Sequence, residues 1–317
     1  MKKRLLQLIE CKSCKEEFQL HTFNTENLEI KDGLLICPKC NVYYFIVNFI
    51  PRILPRKLYT NNKFEEKFEK QITKILKNKN LSEKDDSLLK LKKDTTKFFG
   101  YEWVHFDRHG FDDEVYNENF EKNIFHHKTL LRSNEIKNKL VLDAGCGNGR
   151  YVYQALKCGA EVVGFDLGPG VDSAYNNTKQ FAKAHIIQAD VFNLPFKDNI
   201  FNFAFTIGVI HHTGNAKRAL KCILEKVKEK GTIAVTCYHK GNMLWEFNDW
   251  LIRKFTLKMS IPNLMTLSKI LAKSCKFFGL WVEKPVNLLF RWEPNISIMF
   301  DWYSAPIATH HTYPEVY

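Results

Sequence analysis

The spacing of hydrophobic positions changes along the chain, and the changes divide it into three parts. In the first fifty-odd residues apolar runs are short and separated by turn residues; "VYYFIVNFIPRILP" (42–55) reads as a strand pair closed by prolines. From residue 61, Phe64, Phe68, Ile72, Ile75 and Leu76 recur every three or four positions with charged residues between them, which predicts an amphipathic helix. Beyond about residue 98 two periods alternate. "KLVLDAGC", "EVVGFDLG", "HIIQAD", "FNFAFTIG" and "TIAVTCYH" are short β-branched and aromatic runs, with helical periods through "RYVYQALKCG", "VDSAYNNTKQFAKA" and "AKRALKCILEKVKEKG" between them. This alternation predicts an α/β, doubly wound parallel sheet. Between 241 and 300 helical spacing returns in a stretch rich in Trp, Phe, Leu and Lys, so a helical cap is expected there. The predicted organisation is a small module over 1–56, a charged helical connector over 57–97, and an α/β domain over 98–317 with its insertion near 241–300.

Composition narrows this only in part. With 317 residues and 45% hydrophobic content the chain can bury a large core. No apolar run approaches a membrane-spanning length. The opening "MKKRLLQLIECK" is interrupted by Gln7 and Glu10 and lacks a small-residue cleavage site, so a cytoplasmic protein is expected. The formal charge is +12, and the first hundred residues carry +8 of it, with 21 basic against 13 acidic side chains. A second basic zone lies between 240 and 291. Such charge favours RNA, anionic lipid heads or acidic substrates, and is equally what a Lys-rich solvated surface displays.

Cys11, Cys14, Cys37 and Cys40 form two Cys-x-x-Cys pairs separated by 22 residues. Two such knuckles suit tetrahedral thiolate coordination of zinc, and four thiolates leave no position open for a substrate, so the zinc is expected to be structural. The other cysteines, Cys146, Cys158, Cys222, Cys237 and Cys275, are scattered over apolar segments and read as small buried hydrophobes. The module resembles the zinc ribbons of the tRNA-methyltransferase-activator type, which also occur ahead of a methyltransferase domain.

"LVLDAGCGNGR" (140–150) ends a predicted strand with glycines at 145, 147 and 149. The dinucleotide fingerprint needs its third glycine three residues after the second, and Arg150 stands there. Asp143 would repel a pyrophosphate by a few kcal/mol at about 4 Å and an effective dielectric of about 20. A cationic ligand without phosphate, such as S-adenosylmethionine, reverses that sign. Asp166 then lies where a carboxylate can accept both ribose hydroxyls, and Asp190 where one can accept from the adenine amino group. "VLDAGCGNGR", "VVGFDLG", "QADVFNLPF" and "FTIGVIHHT", in this order, resemble a class I S-adenosylmethionine-dependent methyltransferase (methyltransferase type 11-like), with a Rossmann-like sheet, over 98–317. The resemblance implies that Asp143, Gly145, Cys146, Gly147 and Gly149 line the amino-acid end of the cofactor. By the same resemblance Asp166 holds its ribose, Asp190 and Val191 its adenine, and Ile207 and Gly208 its methionine side.

His211 and His212 follow the fourth predicted strand of this domain and are candidate bases, with near-neutral intrinsic pKa values. Asp301, Tyr303, His310 and His311 are expected to return toward the cleft, with Tyr303 a further catalytic candidate, and Tyr101 or Trp103 is expected to cover the cofactor. Methyltransferases that grip a planar nitrogen often carry Asn/Asp-Pro-Pro-aromatic where this chain has Thr206-Ile207-Gly208-Val209. The expected acceptor is therefore a small molecule, a glycan or a lipid precursor. Peripheral membrane contact would run through Arg253, Lys254 and Lys258. Two alternatives are an RNA methyltransferase whose ribbon and connector grip phosphates, and a non-catalytic binding or activator protein. Thr312 and Glu315 form a capping-box pattern that predicts a helix. Enzymes of this kind continue with a helix and an antiparallel strand pair, so the C-terminal strands are expected to be missing from this sequence.

Overall fold

The computed structural model describes residues 1–76, 86–112 and 117–316; residues 77–85 of the expected connector fall outside them. In chain order the strands are β1 (Gln19–Glu26), β2 (Glu29–Ile36), β3 (Tyr43–Val47), β4 (Ile50–Ile53), β5 (Leu140–Ala144), β6 (Glu161–Asp166), β7 (Ala184–Ala189), β8 (Phe201–Ile207) and β9 (Val227–Thr236). All of them join one sheet in the order β1-β2-β3-β4-β7-β6-β5-β8-β9. The first four are an antiparallel meander and the last five are parallel, with β5 in their middle.

The join is made by β4, which pairs in parallel with β7 through Arg52↔Gln188 and Ile53↔Ala189. Pro51 has no N–H to give a ladder, so β4 uses that position only against Ile46 of β3 and begins its second pairing one residue later. Arg52 secures the join from the side. Its guanidinium is buried, donates to both oxygens of Asp172 at 2.6 and 3.1 Å and to Gln188 Oε1 at 3.1 Å.

The first helices are α1 (Asn62–Lys67), α2 (Glu69–Ile75), α3 (Leu89–His105), α4 (Glu118–Thr129) and α5 (Ser133–Ile136). The crossovers of the parallel strands are α6 (Arg150–Lys157), α7 (Gly170–Thr178) and α8 (Ala216–Leu224). The cap comprises α9 (Met243–Thr256), α10 (Ile261–Phe278), α11 (Leu280–Val286) and α12 (Ile296–Ser304), followed by α13 (Tyr313–Val316). Starts are set by side-chain caps: Asn215, Asn242 and Ser260 each accept an N–H from the first turn of α8, α9 and α10. Glu315 accepts from the Thr312 N–H at 2.7 Å, the capping contact that its pattern predicts.

The helical period through residue 231 does not persist. α8 stops at Leu224 and β9 begins at Val227, because the Lys226 carbonyl accepts the N–H groups of Ile200 and Phe201 while its ammonium pairs with Asp198. That tie to the start of β8 outweighs helix propensity.

One face of the sheet carries a core shared by both parts of the chain: Leu5, Ile9, Phe18 and Leu35 pack with Leu142, Val163, Ile187 and Phe196. Ile9 bridges to Phe196, the Glu10 N–H donates to the Pro195 carbonyl at 2.7 Å, and the Lys197 N–H donates to the Leu8 carbonyl at 3.0 Å. At about 1.5–3 kcal/mol for each fully buried apolar side chain, this shared face outweighs any single polar contact across the join. The opposite face packs Phe125, Val152, Val162, Ile186 and Phe205 under α4, α6 and α7.

Arg52→Met leaves the buried Gln188 amide without its donor and is expected to cost about 2 kcal/mol. Urea unfolding followed by far-ultraviolet circular dichroism should show one transition at a lower midpoint. Arg56→Met, at a partly exposed pair with Glu65, should cost under about 1 kcal/mol.

Candidate functional site

The site lies at the carboxyl ends of the parallel strands, where ligands of such sheets bind. β5 delivers Asp143 and Ala144 into the glycine loop. At Gly145 φ is +88°, and a Cβ there would lie 2.3 Å from Val209 Cγ2, so only glycine lets the loop pass beneath the segment after β8. β6 ends at Asp166, whose carboxylate accepts the N–H groups of Gly147 at 3.0 Å and Gly168 at 2.9 Å and so holds the loop against its own strand. Each oxygen keeps one further acceptor direction.

These ends enclose a cavity of about 250 Å³. Of the cofactor residues expected from sequence, Gly145, Asp166, Asp190, Val191, Ile207 and Gly208 line it. Asp143, Cys146, Gly147 and Gly149 are absent from the wall; Asp143 and Cys146 are buried behind it. At Gly208, φ is +78° and nothing lies within 4 Å of where a Cβ would project.

Charge in and around the cavity is unusual. Asp143 is buried with Oδ2 unpartnered, and burial, then the charge of Asp166, pushes its carboxyl well above the ordinary range while Arg150 opposes. Burial also raises Asp166, countered by the N–H groups of Gly168 and Gly147. Glu102 of α3 is buried with Oε2 unpartnered and is raised by burial first and by Asp301 second. Asp301 of α12 lines the cavity; burial raises it to about 6 against the pull of Arg150, Arg253 and Arg291. Four carboxyls sharing so little water disfavour one another's charge, and a cation in the cavity would relieve all of them.

At the far end Asp190 is already engaged. Oδ1 accepts from the Phe192 N–H at 3.0 Å, and Oδ2 accepts from Asn193 at 2.8 Å and from Lys92 Nζ at 2.7 Å. One acceptor direction on Oδ1 remains for a ligand. Lys92 also bonds Asp86 at 2.6 Å. It belongs to α3, and Leu91, Lys92, Thr95, Thr96, Phe99 and Trp103 of that helix form one wall of the cavity. The connector reading of 57–97 assigned no such role to 91–96. Trp103 lines the cavity, whereas Tyr101 stacks on His105 and meets Phe300.

The histidines separate. His212 lines the cavity; its Nδ1 donates to the Ile307 carbonyl at 2.6 Å, which fixes the tautomer and leaves Nε2 as the acceptor. Burial lowers it to about 4, so it is neutral at pH 7. His211 is fully buried against Tyr238 and His212, with neither ring nitrogen hydrogen-bonded. Tyr303 points away and donates to the Arg291 carbonyl at 2.6 Å. His310 pairs with Glu246 at 2.7 Å and His311 with Thr309 at 2.8 Å. Arg253, expected to face lipid heads, is buried and bonds the carbonyls of Trp302 and Ala305, because α9 needs it to fasten α12.

In the ribbon, the sulfurs of Cys11, Cys14, Cys37 and Cys40 lie within 4.8 Å of one another. Bonds of about 2.3 Å to one tetrahedral metal need S–S edges of about 3.8 Å, a small adjustment from this arrangement. The nine cysteines include no disulfide. No helix among the described residues is long and apolar enough to cross a membrane.

A doubly wound sheet with a glycine loop and carboxylates at the ends of β6 and β7 is an arrangement that suits the methyltransferase class. Residues 142–235 match the family described as "Methyltransferase domain" and residues 2–48 the family described as "Trm112p-like protein", so the chain joins a Trm112p-like module to a methyltransferase domain. Among its relatives is the tRNA U34 carboxymethyltransferase of Aliarcobacter butzleri, 30% identical over 106 residues, covering 32% of this chain and 35% of that protein. The tRNA (carboxymethyluridine(34)-5-O)-methyltransferase of Saccharomyces cerevisiae is 28% identical over 128 residues, 36% of this chain and 44% of that one. The malonyl-[acyl-carrier protein] O-methyltransferase of Pseudescherichia vulneris is 29% identical over 163 residues, 51% and 62%. The chain thus spans about a third to three-fifths of the length of these relatives.

The tRNA enzymes overturn the expectation of a small-molecule, glycan or lipid-precursor acceptor. That expectation rested on the missing Asn/Asp-Pro-Pro-aromatic motif. The motif grips a planar nitrogen, and an acceptor that presents oxygen has no need of it.

A positively charged ligand beside Asp301 should lose affinity as pH falls through about 6, because protonation removes the attracting charge. Calorimetric titration with S-adenosylmethionine between pH 7.5 and 5 should show Kd rising several-fold. In Asp301→Asn, which keeps Glu102, Tyr238 and the three arginines, most of that slope should vanish.

Proposed function

We propose that the chain transfers a methyl group from S-adenosylmethionine to an oxygen on a tRNA base of the wobble-uridine kind. The observation that carries this reading is the cavity at the strand ends, whose Gly145, Asp166 and Asp190 fall within the span that matches the methyltransferase family. The tRNA relatives and the net charge of +12 support an RNA acceptor. S-adenosylmethionine, when bound, supplies a methyl group on a positively charged sulfur. The residues of this chain bind, orient and exclude water. Asp166 offers its two free acceptor directions to a diol, and Asp190 offers one to an amine. Asp143 and Asp301 contribute negative potential at the loop end, and α3 closes the cavity with Phe99 and Trp103. An oxygen acceptor that is already ionised needs no base, so neutral His212 serves through Nε2 by accepting from an N–H or O–H elsewhere on the incoming nucleoside and so aligns it.

In the same reading Cys11, Cys14, Cys37 and Cys40 hold one structural zinc. All four positions of the shell are then protein thiolates, and the ion's part is to fix the two knuckles that carry β1 to β4.

Incubation with methyl-labelled S-adenosylmethionine and unfractionated tRNA should put label into the tRNA. Mild alkali should release it as methanol, as from an ester of a carboxylate. Label that resists alkali would exclude a carboxylate oxygen, and tRNA that stays unlabelled while the protein binds cofactor would exclude the RNA acceptor.

A further inference from the structure

The helical cap carries a surface that methyl transfer does not use. α9 packs on α12 through Trp245 and Ile252 and through the buried Asp249 and Arg253, which bond the Trp302 indole N–H and carbonyl. On its other face Met243, Phe247, Trp250 and Leu251 recur at helical spacing, with Phe255 beside them. Met243 is 89% exposed, Phe247 55%, Trp250 56% and Phe255 64%. The rings of Phe247 and Trp250 lie 5.9 Å apart. Exposed Leu288 and Leu289 extend the stripe, held beside α9 by Asn248, which donates to the Leu289 carbonyl at 3.0 Å. Single exposed apolar side chains are ordinary, whereas a contiguous stripe marks a surface that something covers.

The charge around the stripe has one sign. Over residues 243–286 the exposed charged side chains are Lys254, Lys258, Lys269, Lys273, Lys276 and Lys284. The acids of the same stretch do not share that exposure: Asp249 is buried, and Glu246 and Glu283 are half-buried. A second copy meeting this patch with its own would set lysines against lysines. Partner proteins seat helices in grooves, and this is the convex face of one helix. RNA stacks its bases on free aromatic faces, but Lys254 Nζ already stands over the Trp250 ring at 5.2 Å, and Met243, Leu251 and Leu288 offer a base no stacking. Acyl chains accept aliphatic and aromatic side chains alike, and lysines among them reach back to lipid phosphates.

We propose that the exposed face of α9, with Leu288 and Leu289, docks on an anionic lipid bilayer and lies in its interface, with Lys254 and Lys258 at the level of the phosphates. Arg253, turned inward, has no part in it. No residue of α9 lines the strand-end cavity, so the inference goes beyond the methyltransferase reading and does not depend on it.

The test is flotation of the whole chain with vesicles, which separates bound protein from aggregates that sink. Wild-type protein should float with vesicles of phosphatidylcholine containing about 30% phosphatidylglycerol. Binding should fall several-fold between about 0.1 M and about 0.5 M salt, and several-fold when phosphatidylcholine is the only lipid. The double variant Phe247→Ser/Trp250→Ser should bind about tenfold or more weakly, and Lys254→Gln/Lys258→Gln a few-fold more weakly at low salt. Trp250→Phe should keep most of the binding. All these variants should keep the wild-type melting temperature and affinity for S-adenosylhomocysteine, since they change exposed side chains away from the cavity. Wild-type protein that does not float with the anionic vesicles would overturn the proposal. In that case, dimerisation lost in the serine variant would give the face to a second copy, and transfer-RNA binding lost in it would give the face to RNA. Flotation that the serine variant retains in full would reduce the contact to bulk charge and overturn the interfacial helix.

Discussion

The pairing of β4 with β7, and the buried Arg52 that fastens it, is the constraint on which the rest of the structure depends. It turns a metal-knuckle module and a methyltransferase sheet into one sheet with one shared core. The contact continues to the site. Gln188, which accepts from Arg52, donates through Nε2 to the Leu167 carbonyl at 2.9 Å, one residue beyond Asp166. Ile53 pairs with Ala189, one residue before Asp190. The two strand ends that present carboxylates to the cavity are therefore braced from the ribbon side, and a change in the knuckles has a short covalent and hydrogen-bonded route to both.

The cavity balances electrostatics of opposite sign within a small space. Asp143 and Glu102 are buried and Asp301 is half-buried, beyond what their partners offset, and desolvation is the largest cause of each one's raised pKa. Such groups are costly in an empty protein, and structures keep them where a ligand supplies the missing charge. Lys92 works in the other direction: it neutralises Asp190 and Asp86 and ties α3 down over the cavity. The helix that leads out of the connector is thereby a wall of the site.

Much of this was legible in the sequence, and what was not has physical reasons. β5 to β8 stand out as β-branched and aromatic runs because both faces of a parallel sheet are buried. The glycine loop and the acidic residues at the ends of β6 and β7 stand out because their spacing is fixed by the strand ends. The hairpin β1–β2 does not: Asn27 and Leu28 both have positive φ, and the leucine at the second position, fully in solvent, hides the turn that Asn-Gly would announce. The wall made by α3 is equally hidden, since Lys92 and the threonines around it look like a solvated helix face and their burial is decided by a carboxylate ninety-eight residues away. Arg253 misled for a related reason: its basic neighbours suggested a lipid surface, and only the packing of α9 on α12 turns it inward. The acceptor was misjudged because an absent motif was read as evidence about RNA, when it speaks only to nitrogen.

The central claim, that ribbon and methyltransferase sheet are a single cooperative unit, is tested most directly by native-state hydrogen exchange across a denaturant series. If it is right, the slowest amides of β2 and β3 exchange with the same opening free energy and denaturant dependence as those of β5, β6 and β7. If instead the ribbon amides open with a smaller free energy while β7 keeps its protection, the ribbon is an independent module that rests against the sheet, and the claim of a single unit is wrong.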